Sequence, residues 1–329
     1  MNTIRFWISN ARSIALPQSI LPSLLTIAMV AHLPSFTWWM ALIALIGVMC
    51  AHLGMNLADD YFDHKKDTTR IRQQVHAEGG KTHMEKCHYI TSGKATTRDL
   101  VNAIATFLAI AGVAGIIVSC FRTWHITLIA IIGLLLGLSY SGEPLKLGYR
   151  GFGEFVIGTM FGPLLMIGMA MAASNHVSKD VILISIAVGL LVINIGFVHS
   201  VLDLRTDTLS ARKSFAVILQ NKKAMLVALA LFSLSPFVLI IGGVITHILH
   251  WATLITLLLI PLAIQLIYST YCFLYEKHIT LQPKWWMGLM GDWKKYQAAN
   301  MDWFLYRWLV ARNLVTFFCL ILIVIYIII

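Results

Sequence analysis

Four aspartates crowd one short segment near residue 60 of this chain: Asp59, Asp60, Asp63 and Asp67. On a helix, Asp59, Asp63 and Asp67 share one face because they are spaced by four positions. Like charges this close repel each other, and the end of a membrane helix offers little screening by solvent. The segment therefore predicts a site for a divalent cation.

A second acidic pair occurs much later in the chain, where Asp203 and Asp207 again have the spacing of one helical face. All six positions are aspartate, although glutamate has the higher helix propensity. Carboxylates without His or Cys are hard oxygen ligands, which suit Mg²⁺ shared with substrate phosphates. Acidic residues that merely mark a membrane boundary would explain one cluster, whereas two clusters favour a shared metal site. We predict the metal ligands to be Asp59, Asp60, Asp63, Asp67, Asp203 and Asp207.

Positive side chains accompany both acidic clusters. Arginine and lysine bind phosphate oxygens, so they could hold the diphosphate part of a metal–diphosphate complex. Each also has a simpler explanation, since basic residues accumulate on the cytosolic side of membrane proteins. The predicted substrate-binding residues are Arg12, Asn56, Lys66, Arg70, Arg150, Arg212 and Lys213. The predicted catalytic residues are Asp60, Asp63, Asp207, Tyr140 and Lys146.

The elements that must position these residues are membrane helices. Of the 329 residues, 58% are hydrophobic, above the ~45 to 50% of soluble domains. Continuous apolar runs recur that are long enough to cross a ~30 Å hydrocarbon core, and they lack the alternation of a membrane β-barrel. We predict one all-α, polytopic helical bundle over residues 1–329. Its nine spans lie near 15–33, 37–58, 99–120, 124–141, 153–173, 180–201, 224–246, 249–273 and 309–329.

The basic residues predict the orientation of the bundle. The chain carries 25 Lys and Arg against 15 Asp and Glu, a net charge of +10. With the N-terminus in the cytosol, Arg122 and Lys179 are the exceptions to the positive-inside rule. Membrane orientation thus explains the charge without nucleic acid as a partner. We predict a multi-pass protein of the inner (cytoplasmic) membrane, with the N-terminus and active site cytosolic.

The cysteines and loop histidines indicate no further metal site. The five cysteines show no CxxC spacing, so neither a disulfide framework nor a zinc site is indicated. His76, His83, Cys87 and His88 gather in one stretch but lack metal-ligand spacing. We interpret them as solvated loop residues.

The aspartate runs resemble the two motifs of the UbiA superfamily of membrane prenyltransferases. Residues 59–67 are similar to the first motif, NDxxDxxxD, with Asp59 in place of the motif's asparagine. Asp203 and Asp207 match the second motif, DxxxD, and residues 211–217 resemble the segment that follows it. The resemblance covers essentially the full chain, including the nine spans. It implies Mg²⁺ as cofactor and a polyprenyl diphosphate as one substrate.

Within the superfamily, the sequence is most similar to the 1,4-dihydroxy-2-naphthoate polyprenyltransferases of menaquinone biosynthesis. The similarity lies in residues 16–22, in Asn56-Leu57-Ala58 and in residues 140–154, which end in Gly-Phe-Gly-Glu where that branch has Gly-Leu-Gly-Glu. Residues 199–202 depart from the Asn-Asn-x-Arg-Asp stretch that usually enters the second motif. The resemblance implies an aromatic acceptor, most closely dihydroxynaphthoate.

The chemistry implied is ionisation of the prenyl diphosphate followed by attack of the aromatic ring. Metal ions and basic residues would stabilise the departing diphosphate, and a dry cavity would protect the allylic cation from water. Arg12 could orient the acceptor carboxylate. Aromatic faces could stabilise the cation; the candidates are Tyr140, Tyr149, Phe152, Phe161 and Phe197.

Alternative functions fit part of the pattern. The same chemistry could act on 4-hydroxybenzoate, homogentisate or a glycerol-phosphate lipid. A divalent-cation transporter also carries intramembrane carboxylates, but here the aspartates gather at one end and no acidic ladder crosses the spans. Soluble all-α prenyl synthases use similar DDxxD clusters, and the nine membrane-length spans exclude that class.

Overall fold

The helices follow the apolar runs. A computed structural model describes residues 3–65 and 87–329. The predicted residues Lys66, Asp67 and Arg70 lie outside the described residues, as do His76 and His83. Within the two described ranges, nine helices are long and apolar enough to cross a membrane. This finding confirms the predicted all-α membrane bundle.

Fifteen α-helices occur in the described ranges. They are α1 (Thr3–Asn10), α2 (Pro17–Val30), α3 (Trp38–Lys65), α4 (His88–Thr91), α5 (Thr97–Phe121), α6 (Trp124–Ser141), α7 (Gly153–Thr159), α8 (Leu165–Ser174), α9 (Lys179–Leu202), α10 (Leu204–Leu209), α11 (Phe215–Leu219), α12 (Lys222–Ile245), α13 (Ile260–Leu274), α14 (Trp293–Ala298) and α15 (Asp302–Ile328). A π-helical turn, Met160–Leu164, joins α7 to α8 as one span. Short 3₁₀ helices occupy Ser13–Ala15, Leu147–Tyr149, Trp251–Leu259 and Trp285–Met287.

Local signals set several helix ends. Thr96 and Asp99 form a reciprocal capping box at the start of α5: Thr96 N donates to Asp99 Oδ2 at 2.9 Å, and Asp99 N donates to Thr96 Oγ1 at 3.2 Å. Asn221 caps α12 by accepting a hydrogen bond from Lys223 N at 2.8 Å. Pro17 stands in the first turn of α2, where its missing N–H costs no helical hydrogen bond.

Two predicted span boundaries were wrong. Helix α3 continues to Lys65 beyond the predicted end at residue 58, and α15 begins at Asp302 rather than at residue 309. Apolar content reports how far a helix lies in lipid, whereas helical hydrogen bonding continues past that point into polar sequence. Asp59, Asp60 and Asp63 therefore lie on an unbroken membrane helix.

Helix α9 lies at the centre of the bundle. It packs against α7, α12 and α15, and Val188 and Leu191 on it are fully buried. The α7–α8 span approaches α9 backbone to backbone, since a Cβ built on Gly162 would lie 2.5 Å from the Cα atom of Gly189. Small residues permit such close contact between membrane helices. Pro163, which lacks an N–H, lies within the π turn at this crossing.

Candidate active site

Both aspartate runs reach one cavity at the carboxyl ends of α3 and α9. The cavity has a volume of about 580 Å³, and its wall includes Asp59 and Asp60 of α3 and Asp207 of α10. Asp63 and Asp203 are buried, with 3% and 1% of their surface exposed, but they are not part of the wall. The fold thus brings together two runs that lie far apart in the sequence.

Arg12 holds the first run from the side of α2. Its Nη2 donates to Asp59 Oδ2 at 3.0 Å and to the Asn56 carbonyl at 2.8 Å, and lies 3.2 Å from Asp60 Oδ1. Arg12 has a left-handed backbone (φ 57°), which turns the chain between α1 and α2. Burial would lower the pKa of Arg12, but the charges of Asp60 and Asp59 raise it above its ordinary value. The guanidinium therefore stays charged.

Hydroxyl groups from distant segments also contact the first run. Ser141 Oγ donates to Asp59 Oδ1 at 2.6 Å, Tyr149 Oη to Asp63 Oδ1 at 2.7 Å, and Tyr89 Oη to Asp60 Oδ2 at 3.2 Å. Burial and the charge of Asp63 raise the pKa of Tyr149, and burial and Asp60 do the same for Tyr89. Both phenols therefore remain protonated donors over the physiological pH range. Sequence patterns contain no signal for these long-range contacts.

The second run has a different backbone. Helix α9 ends at Leu202, Asp203 stands at the junction, and Asp207 lies on the short helix α10. Asp207 N still donates to Asp203 O at 2.9 Å, which keeps the i, i+4 relation across the break. His199 Nδ1 lies 3.7 Å from Asp203 Oδ2.

Arg212 links the second run to the first. Its backbone N donates to Asp207 O at 2.9 Å, and its Nη2 donates to Tyr140 Oη at 3.0 Å. Its guanidinium also lies 5.3 Å from the centre of the Tyr149 ring, whose hydroxyl binds Asp63. Burial would lower the pKa of Arg212, but Tyr140 and the charges of Asp207, Asp63 and Asp59 raise it well above its ordinary value. A fixed positive charge therefore lies between the two runs.

Three buried donors in the cavity wall have no hydrogen-bond partner among the residues that the structure describes: Arg12 Nε, Arg212 Nε and Ser214 Oγ. An unsatisfied buried donor costs ~1 to 3 kcal/mol. Two of the three carry positive charge, so a ligand rich in anionic oxygen, such as a diphosphate, would satisfy them.

The other predicted residues, Lys146 as catalytic and Asn56, Arg150 and Lys213 as substrate-binding, divide into two groups. Asn56 lines the cavity, and its Nδ2 donates to Ala11 O at 3.0 Å. Lys146, Arg150 and Lys213 are not part of the wall. Lys146 pairs with Glu143, Arg150 is exposed and donates to Pro144 O at 3.0 Å, and Lys213 is exposed. Their predicted roles remain predictions, and the structure places them outside the cavity.

The aromatic candidates divide in the same way. Tyr140 and Phe161 line the cavity, together with Phe62, Tyr89, Phe304 and Trp308. Phe197 is fully buried against Phe215 and Phe232, and Phe152 is 58% exposed. The last two residues therefore serve packing and surface rather than the cavity. Among the other polar residues in the wall, His52 and Glu154 were not predicted as site residues, although each is a titratable residue inside an apolar span.

The carboxylates fit magnesium held from two sides. Asp60, Asp63, Asp203 and Asp207 are each at most 5% exposed and offer oxygen ligands. Within the described part of the chain, no three His, Cys, Asp or Glu side chains form a metal cage by themselves. Magnesium commonly takes one or two carboxylates and completes its shell with water and substrate phosphates. Aspartates from two runs at one cavity that also holds unpaired cationic donors match that requirement.

Known proteins are similar to this chain in sequence and in fold. A sequence model of the UbiA prenyltransferase family matches residues 19–287. The 1,4-dihydroxy-2-naphthoate octaprenyltransferase of Mycobacterium tuberculosis is 26% identical over 262 residues, which cover 79% of this chain and 84% of that protein. The 2-carboxy-1,4-naphthoquinone phytyltransferase of Synechocystis is 30% identical over 215 residues, 65% of each protein.

Two solved structures have a similar fold. Digeranylgeranylglyceryl phosphate synthase aligns with a TM-score of 0.63 at 18% identity and covers 100% of both chains. A UbiA homologue from Archaeoglobus fulgidus bound to DMAPP and Mg²⁺ aligns with a TM-score of 0.58 at 12% identity, over 93% of this chain and 99% of that one. At these identities the likeness concerns the membrane helical bundle alone.

Proposed function

Because this chain belongs to the UbiA prenyltransferase family and is a membrane-embedded prenyltransferase, we propose that it transfers a polyprenyl group from its diphosphate to 1,4-dihydroxy-2-naphthoate in menaquinone biosynthesis. The observation that carries the proposal is the single cavity reached by both aspartate runs. The naphthoate prenyltransferases among its relatives support the acceptor.

The diphosphate binds between the two runs. Asp59, Asp60 and Asp63, with Asp67 as a further predicted ligand, would hold Mg²⁺ on the side of the first run, and Asp203 and Asp207 would hold it on the side of the second. Bound magnesium supplies positive charge that lowers the energy of the departing diphosphate. The unpaired Nε–H of Arg212 and the hydroxyl of Ser214 donate to its oxygens.

Arg212 stabilises the transition state because its position is fixed before the substrate binds. The Tyr140 hydroxyl accepts one of its hydrogen bonds at 3.0 Å, and the Tyr149 ring packs against it. A preorganised charge is worth more in a cavity that excludes water than in solution. Tyr140 thus acts by orienting Arg212 and, as a wall residue, by facing the allylic carbon.

The apolar wall protects the allylic cation. Phe161 and Phe304 line the cavity with aliphatic residues such as Ile157 and Val192, and such a lining excludes the water that would capture the cation. Aromatic faces add ~0.5 to 2 kcal/mol of cation–π stabilisation each. Arg12, already near Asp59 and Asp60, remains our candidate for orienting the acceptor carboxylate.

The positive-inside distribution supports a cytosolic active site in the inner membrane. The cavity lies at the end of the bundle where the chain carries most of its Lys and Arg. Water-soluble dihydroxynaphthoate would reach that end from the cytosol, whereas the prenyl chain would enter from the lipid.

The test is product analysis with purified protein in lipid nanodiscs. We expect Mg²⁺, a labelled prenyl diphosphate and dihydroxynaphthoate to give a prenylated naphthol and CO₂, and EDTA to stop the reaction. Parallel reactions receive 4-hydroxybenzoate, homogentisate or a glycerol-phosphate lipid. A product from one of these acceptors alone would overturn the naphthoate assignment, and a Mg²⁺ transport signal in vesicles without any prenylated product would overturn prenyl transfer itself.

A further inference from the structure

Glu154 is a buried carboxylate of the cavity that the mechanism above does not use. It lies in the first turn of α7, lines the cavity and is 4% exposed. No Lys, Arg or His of the described residues forms an ion pair with it. An ionisable side chain inside a membrane span is costly and is a functional candidate by default.

The contacts of Glu154 leave one oxygen for a ligand. Ser200 Oγ donates to Oε1 at 2.5 Å, and Phe215 N donates to the same oxygen at 3.2 Å. These donors and the N-terminal end of α7 offset part of the cost of a carboxylate at this position. Since both donors use Oε1, Oε2 is the oxygen that a molecule in the cavity can reach.

The surroundings place Glu154 near residues assigned above to the diphosphate site. Its partner Ser200 lies on the central helix α9, three residues before Asp203 at the end of that helix. Its neighbour Gly153 lies against Tyr140, since a Cβ there would be 3.6 Å from Tyr140 Oη. The carboxylate therefore lies on the cavity wall that it shares with Tyr140 and Arg212, beside the proposed diphosphate site.

We infer that Glu154 binds a hydroxyl group of a phenolic acceptor and takes its proton during prenyl transfer. This inference rests on the proposed function and adds the base for that reaction. A phenol attacks carbon more readily as its O–H proton leaves, because the oxygen electron pair then feeds the ring.

The proposed reaction accounts for every proton and electron pair with Glu154 as the base. The C–O bond of the prenyl diphosphate breaks and its electron pair leaves with diphosphate, while the ring carbon that carries the carboxylate, ortho to the hydroxyl, forms the new C–C bond. The phenolic proton moves to Glu154 Oε2, and the ring oxygen becomes a carbonyl. When the ring carboxylate leaves as CO₂, its electron pair restores the aromatic ring and the carbonyl oxygen takes the proton back from Glu154.

The first test compares E154Q with D180N. Glutamine can accept the same hydrogen bonds through Oε1 but cannot take a proton. Asp180 is a matched control, because it too lies in the first turn of a membrane helix, α9, and accepts a hydroxyl hydrogen bond, from Tyr326 at 3.0 Å, but it is not a cavity residue. We expect E154Q to lower kcat by at least about 100-fold, with Mg²⁺-dependent binding of the labelled prenyl diphosphate unchanged. D180N should retain the wild-type rate.

A second test separates proton transfer from a structural role. An acceptor whose hydroxyl is already ionised at the assay pH needs no base, so the wild-type/E154Q rate ratio should fall to within about 10-fold for that acceptor. A structural defect would keep the ratio the same for both acceptors.

The outcomes distinguish this inference from the function on which it rests. A wild-type rate in E154Q, an equal rate ratio for both acceptors, or loss of prenyl-diphosphate binding in E154Q would overturn the role of Glu154 alone. A wild-type protein that prenylates no phenolic acceptor would overturn the proposed function and this inference with it.

Discussion

The two aspartate runs share one spacing, yet the fold holds them in different ways. The first run lies on the unbroken helix α3 and is contacted by side chains from distant segments: Arg12, Tyr89, Ser141 and Tyr149. The second run spans the junction of α9 and α10, and the contacts of the described residues there include neighbours in the sequence, His199 and the backbone of Arg212.

The difference teaches that a helical motif need not be presented by a straight helix. On α3, long-range hydrogen bonds orient the carboxylates of a regular helix. At the α9–α10 junction, the turn of the backbone places Asp207 in the cavity wall. We therefore expect carboxylate substitutions to be equally damaging on both sides, whereas partner substitutions should act mainly on the first side.

The largest effects should follow loss of a carboxylate on either side. Asp63→Asn and Asp207→Asn each remove a negative charge from the proposed magnesium site while keeping side-chain volume. We expect each to lower kcat/KM by at least about 100-fold, because the diphosphate loses stabilising charge as it departs. Turnover of labelled prenyl diphosphate, at equal amounts of folded protein, measures the effect.

Asp180→Asn supplies the control for a carboxylate outside the cavity. Thermal unfolding of all three variants in nanodiscs checks that they fold. Near-normal turnover in D63N or in D207N would show that the two aspartate runs do not contribute equally. It would contradict the metal assignment for the run that carries the substitution.

Substitution of Arg12 or Arg212 should lower kcat/KM by unequal amounts, and the difference between the two is the second comparison. Arg12 contacts Asp59 and Asp60, whereas the side chain of Arg212 donates to the neutral hydroxyl of Tyr140. More of the Arg212 charge is therefore available to the diphosphate, and we expect Arg212→Met to lower kcat/KM by about 100-fold and Arg12→Met by about 10-fold. Steady-state kinetics with varied prenyl diphosphate would show the order, and the reverse order would contradict this division of charge.

The bundle could be predicted from the sequence because apolar length and charge asymmetry depend on local composition. Helices α3 and α15 extend past the predicted ends because polar residues can continue a helix beyond the lipid. The aspartates could be found for the same local reason, since i, i+4 spacing is readable along one helix.

The rest of the site depends on contacts between distant segments. Nothing near Ser141 or Tyr89 in the sequence indicates their bonds to Asp59 and Asp60. Lys146, predicted as catalytic, lies in a turn, where its backbone is left-handed (φ 45°). Its side chain pairs with Glu143, outside the cavity wall. Residue type predicted its chemistry, but the turn decided its position.

The smallest effects should come from the hydroxyl partners of the first run. Tyr149 donates to Asp63 at 2.7 Å and Tyr89 to Asp60 at 3.2 Å, and shorter bonds to a charged acceptor are stronger. We expect Tyr149→Phe to lower kcat by about 10-fold and Tyr89→Phe by about 3-fold, which correspond to the ~0.5 to 1.5 kcal/mol net contribution of a typical hydrogen bond. Equal rates in both variants would remove the proposed role of these hydroxyls in orienting the carboxylates.

The most direct measurement of a shared diphosphate site is a double-mutant cycle on binding. The Mg²⁺-dependent affinity of a labelled, non-hydrolysable prenyl diphosphate is measured in wild type, D63N, D207N and the double variant. If both runs bind one diphosphate, the double variant should depart from the sum of the single losses by at least about 1 kcal/mol. Losses that add to within about 0.5 kcal/mol would mean that the runs act independently, and would contradict the shared site.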